Sequence, residues 1–173
     1  MIHLIQQYYA SAADAPTATA LLIGGLLWFS ICAIVLFIID VREHRLPNRW
    51  TGLLFAGGAV LLLSSTLSAP AESVLADRWS TTILGSGAYL LAMFILHLLT
   101  RAGIGMGDVK LAAGLGLYTG FLGVDALIAG FVLAFVVGGI QAVYVVVFHG
   151  AKKSTRIAFG PAMLIGCLLT ILM

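Results

Sequence analysis

Apolar residues in this chain come in long unbroken runs, without the alternating or one-sided patterns of a water-soluble fold. Residues 20–39, 51–69, 81–100, 126–148 and 157–173 contain no Asp, Glu, Lys or Arg. A helix rises 1.5 Å per residue, so about 20 residues cross the roughly 30 Å of hydrocarbon in a bilayer. These runs predict five membrane helices. Residues 111–124 offer too short an uncharged stretch for a sixth unless that helix begins near Ile104, and it then contains Asp108 and Lys110. Continuous apolar runs without period-two alternation favour an α-helical bundle over a β-barrel. The expected fold is all-α: a polytopic integral membrane bundle of six transmembrane helices, one membrane-embedded domain over residues 1–173.

Composition agrees, with 61% hydrophobic and 9% charged residues, values that exclude an ordinary soluble domain. The nine Lys and Arg residues set an orientation. Arg42, Arg45 and Arg49 follow the first helix, Arg101 and Lys110 the third, and Lys152, Lys153 and Arg156 the fifth, whereas only Arg78 lies on the opposite side. The positive-inside rule then places eight of the nine in the cytoplasm and both termini outside. Residues 1–19 carry no Lys or Arg ahead of the apolar stretch, so they lack the charged region of a secretory signal and are expected to remain attached. Cys32 and Cys167 fall in apolar runs without a CxxC pair, which predicts packing thiols and no metal or cofactor site.

Two aspartates stand out against this background. Asp40 directly follows the first apolar run, and Asp108 sits in the glycine-rich string Gly103-Ile-Gly-Met-Gly-Asp-Val-Lys-Leu111. A charge at membrane depth costs about 2.5–3.5 kcal/mol on insertion scales, so such a carboxylate is a candidate functional group. The predicted topology puts both on the cytoplasmic side, consistent with an acid/base pair, although topology alone does not make them neighbours. Asp108, Ala112, Gly116 and Gly120 recur every four residues, forming one helical face of small residues that is expected to meet protein. Gly105 and Gly107 allow irregular backbone before it.

Each aspartate also has a plainer reading. Asp108 fits a glycine-rich packing seam with an interfacial carboxylate, and Asp40 fits a solvated helix end. Against the latter, an anion is unfavourable at a helix C-terminus, and Leu46-Pro47-Asn48 is a rigid turn signal. Glu43 is an alternative second carboxylate, but an ion pair with Arg42 or Arg45 accounts for it. Lys110 reads as an interfacial anchor or as a group that holds substrate or tunes the pair. His97 and Gln141 read as hydrogen-bonding groups inside the bundle, and Asp14, Glu72, Asp77 and Asp125 as solvated surface.

With Gly105-Met-Gly-Asp-Val-Lys-Leu111, Asp40 followed by Leu46-Pro47-Asn48, and Phe159-Gly160-Pro161 near the last helix start, the chain resembles the type IV prepilin peptidases, bacterial membrane aspartyl proteases of the GxGD type. The resemblance runs from the first helix to the last. It implies that Asp40 and Asp108 are the catalytic pair, with Gly105, Gly107, Lys110, Pro47, Asn48, Phe159, Gly160 and Pro161 binding substrate or supporting the site. The implied substrate is the short basic leader of a prepilin or pseudopilin, cut after a glycine on the cytoplasmic side of the bacterial inner membrane. The expected partners are that substrate, the lipid bilayer and pilus assembly machinery, with no nucleic acid. Longer members of the family carry a cytoplasmic region with paired cysteines, associated with zinc and N-methylation. Here eleven residues, 40–50, separate the first two apolar runs and include no cysteine, so a peptidase-only short form of the Flp or tight-adherence kind is expected.

Three other readings remain. A transporter or proton-conducting module also buries carboxylates, but is expected to hold them near mid-membrane. A non-catalytic partner of a pilus secretion assembly would keep the glycine seams without needing both aspartates. Intramembrane proteases of the presenilin kind share the GxGD string, yet have Tyr where Ile39 precedes Asp40 and have no Leu-Pro-Asn segment.

Overall fold

The computed structural model describes residues 15–100, 104–149 and 158–173. Among these it contains six helices and no strand: α1 Pro16–Glu43, α2 Asn48–Leu67, α3 Arg78–Leu99, α4 Met106–Leu122, α5 Val124–His149 and α6 Gly160–Leu172. Four helices, Pro16–Glu43, Asn48–Leu67, Arg78–Leu99 and Val124–Phe148, are long and apolar enough to cross a membrane. α4 and α6 have 17 and 13 residues, about 26 and 20 Å of axis. They start later than the apolar runs suggest, at Met106 and Gly160 in place of 104 and 157. Gly105 is extended (φ −68°, ψ 145°), and Pro161 occupies the first turn of α6, where its missing N–H costs no helix hydrogen bond.

Helix α4 is the centre of the bundle, packed against α2, α3, α5 and α6. From Asp108 to Phe121 every residue except Lys110 is buried. The small-residue face predicted for it meets α3. A Cβ on Gly85 would lie 2.6 Å from Gly120 Cα and 2.7 Å from Gly116 O, so these backbones touch directly, and Ser86 Oγ donates to Ala113 O at 2.8 Å. Burial extends around the whole helix, because Gly114 takes Leu54 of α2 on another side. A helix surrounded by protein has no need of lipid-spanning length.

Between α1 and α2 only residues 44–47 intervene. His44 adopts the left-handed conformation (φ 52°, ψ 38°), and its N–H donates to Asp40 O at 2.9 Å. Pro47 caps α2, its carbonyl accepting from Trp50 and Thr51 N–H at 3.1 and 3.2 Å. So short a link forces α1 and α2 into antiparallel contact, reinforced by Trp28 Nε1 donating to Leu53 O at 2.9 Å. The C-termini of α1 and α3 and the N-termini of α2, α4 and α6 consequently share one end of the bundle. Arg42, Arg45, Arg49 and Lys110 are exposed at that end. Arg78 lies at the other, donating through Nη1 to Leu122 O at 2.9 Å, a cation on the C-terminal carbonyls of α4. Residues 1–14, with Asp14, and Arg101, Gly103, Lys152, Lys153 and Arg156 lie outside the described residues.

Candidate active site

Asp40 does not end its helix: α1 continues through Glu43. The carboxylate is only 4% exposed, which removes the reading of a solvated helix end. Its cover is the start of α6. A Cβ on Gly160 would collide with Asp40 Oδ2 and lie 3.2 Å from Leu46 Cδ1, so glycine is the residue that lets α6 approach. The Gly160 backbone N–H lies beside the carboxylate, while Oδ2 has no hydrogen-bond partner among the described residues. The unfavourable position of an anion at the C-terminal end of α1 is thus offset by the N-terminal end of a second helix. His44, four residues on, brings its imidazole within electrostatic range of Asp40.

Asp108 reaches the same end from α4, where it sits in the first turn and is 9% exposed. Gly105 N–H donates to its Oδ2 at 3.2 Å, half of a capping box. The two carboxylates, 68 positions apart in sequence, are close enough for their charges to interact. Between the two helix starts lies Leu46. A Cβ on Gly107 would come 3.0 Å from Leu46 Cβ, so one leucine contacts both the Asp108 helix and the glycine that covers Asp40. The sequence motif Leu46-Pro47-Asn48 includes this leucine, although only Pro47 and Asn48 were expected at the site. Its signal was available there, as an apolar side chain within the charged stretch 42–49.

The remaining marked residues support this arrangement from farther out. Pro47 sets the start of α2, and Asn48 Oδ1 accepts from Lys110 Nζ at 2.8 Å, tying α2 to α4. Lys110 is exposed and turned away from the carboxylate beside it in sequence. Phe159 packs on α5, with its ring centroid 5.2 Å from that of Phe135 in a notch left by Gly138, while Pro161 is buried in the first turn of α6. Glu43 is exposed without an ion pair among the described residues and does not join the cluster. His97 and Gln141 are hydrogen-bonding groups within the protein, as expected, and their partners lie close to the site. His97 Nδ1 is 2.6 Å from Ile104 O, and Gln141 Nε2 donates to Ala158 O at 3.2 Å. Each side chain secures the backbone two residues before a helix that builds the site. Cys32 and Cys167 are buried free thiols.

Where two buried carboxylates interact strongly, they can share a proton over an intermediate pH range, because like charge opposes double ionisation. Such a pair can act as a general base and a general acid at one bond.

Comparison with known proteins places the chain in a family. The prepilin leader peptidase/N-methyltransferase of Bacillus subtilis (strain 168) is 29% identical to the chain over 139 residues, covering 80% of the chain and 51% of that protein. The chain therefore spans about half the length of this curated relative. No solved structure matches. The sequence profile of the type IV leader peptidase family matches residues 27–143, an interval that takes in both aspartates and all of α4 but stops before Phe159. With that interval covering more than half of the sequence, the chain belongs to the type IV leader peptidase family.

Proposed function

We propose that this protein is an aspartic endopeptidase of the bacterial inner membrane that removes the short basic leader of prepilins or pseudopilins after a glycine, on the cytoplasmic side. The observation that supports this most is the convergence of Asp40 and Asp108, from helices distant in sequence, at the end of the bundle that carries Arg42, Arg45, Arg49 and Lys110. In this reading all six helices lie in the membrane and both termini are extracytoplasmic. One carboxylate draws a proton from water as it attacks the scissile carbonyl; the protonated partner polarises that carbonyl and then hands its proton to the departing amine. No cofactor enters the reaction. The relative's name joins peptidase and N-methyltransferase, and we assign the peptidase activity alone, because the 44–47 connection carries no cysteine pair. A transporter reading is disfavoured, since both carboxylates lie at one end of the bundle.

The test is coexpression with a candidate prepilin, following leader removal for wild type, Asp40→Asn and Asp108→Asn. Each nearly isosteric change is expected to lower processing by about 10²–10⁴-fold, the contribution of a positioned acid or base, at unchanged membrane abundance. Wild-type processing by either abundant variant would refute the pair.

A further inference from the structure

Space beside the two carboxylates is tightly limited. A Cβ at Gly105 would lie 3.2 Å from Asp108 Oδ2, one at Gly160 would strike Asp40 Oδ2, and one at Gly107 would meet Leu46 Cβ at 3.0 Å. Leu46 is the common neighbour of the last two, with its Cδ1 3.2 Å from the Gly160 position, and it packs against the apolar core. Its backbone is secured on both sides. His44 N–H is bonded to Asp40 O at 2.9 Å, and the Pro47 carbonyl is held by Trp50 and Thr51 N–H. On this four-residue link, a partly buried side chain that meets two helix starts is restrained by its neighbours.

Leu46 lies beside Gly160, which covers Asp40, and beside Gly107, which precedes Asp108, so a peptide bond held within hydrogen-bond reach of both carboxylates would have this leucine as a neighbour. We propose that Leu46 is a specificity-determining residue: its isobutyl group fills the volume that a substrate side chain before the scissile bond would require, confining cleavage to glycine at that position. The inference rests on the peptidase reading above and adds the residue that enforces its choice. Leu46 does not touch the proton transfers. Shortening it opens space without removing either carboxylate.

The experiment uses the full chain in detergent, as wild type, Leu46→Ala and Leu46→Val, with paired prepilin substrates carrying Gly or Ala before the cleavage site. The readout is the ratio of kcat/KM for the Ala substrate to that for the Gly substrate, which is insensitive to the fraction of folded enzyme. Leu46→Ala is expected to raise this ratio by about tenfold or more, the discrimination attached to one methyl-sized group in a close-fitting pocket, with Leu46→Val intermediate. An unchanged ratio in Leu46→Ala overturns the assignment, and where that variant does not accumulate, an unchanged ratio in Leu46→Val does the same. Wild type that leaves the Gly substrate uncut overturns the peptidase reading and this inference with it, whereas wild type that cuts Gly while the variants keep its selectivity overturns this inference alone.

Discussion

Gly160 and Asp40 are held in contact across α6 and α1, the space of the missing glycine side chain being occupied by Asp40 Oδ2. The first residue of one helix thereby covers a carboxylate one turn from the end of another. This explains why a glycine stands between Phe159, which anchors on α5, and Pro161, which begins α6.

Gly160→Ala is expected to push Asp40 out of register with Asp108. Its new Cβ meets Asp40 on one side and Leu46 on the other, and a displacement of about 1 Å can cost on the order of 10²-fold in rate. Leader processing at equal membrane abundance measures this, and a rate within threefold of wild type, an approximate margin for an unperturbed site, would refute the contact.

Proton sharing predicts a bell-shaped pH profile. As pH falls, the second carboxylate of the pair takes up a proton and the general base is lost; as pH rises, the shared proton leaves and the general acid is lost. Measured kcat/KM is expected to rise and then fall between about pH 4 and about pH 9. A flat profile through that range would exclude a shared proton.

The contact of α3 with α4 predicts a large cost for added bulk. A Cβ on Gly120 would sit 2.5 Å from Thr81 O and 2.9 Å from Gly85 Cα, whereas one on Gly87 meets nothing within 4 Å. Gly120→Leu is expected to lose at least about 1–3 kcal/mol, as overpacked sites do, because backbone cannot yield as a flexible side chain can. Gly87→Leu is expected to stay within about 1 kcal/mol of wild type. Thermal unfolding in detergent separates the two, and equal losses would refute direct backbone contact.

The Lys110–Asn48 hydrogen bond is exposed at the bundle end, so its coupling is expected to be small. A double-mutant cycle with Lys110→Met and Asn48→Ala should return less than about 1 kcal/mol in unfolding free energy. A coupling above about 2 kcal/mol would mean that the pair is desolvated and not at the surface.

Much of the architecture was legible along the chain because hydrocarbon imposes a simple rule. Apolar length marks helices, and Pro47, Pro161 and Gly105 mark where they start. The small-residue repeat 112, 116, 120 announced a close approach, but not that α3 would supply it or that α4 would be surrounded. Those features depend on which backbones meet, and spacing in one chain segment has no information about its partner. The same limit left Leu46 as part of a turn motif, since its contacts exist only where residues 46, 107 and 160 come together, and left open which backbone carbonyls His97 and Gln141 would bond.

Asp40 shows the division most plainly. By sequence it was a carboxylate at the wrong end of a helix, equally suited to water. Its burial came from the N-terminus of α6, 120 positions away, and its pairing from α4. Local pattern determined that this chain forms apolar helices and where its carboxylates fall along them, because solvent and backbone geometry act residue by residue. Packing decided that two of those carboxylates, distant in sequence, come within range of each other's charge, because proximity is a property of the closed bundle and of the glycines that let its helices touch.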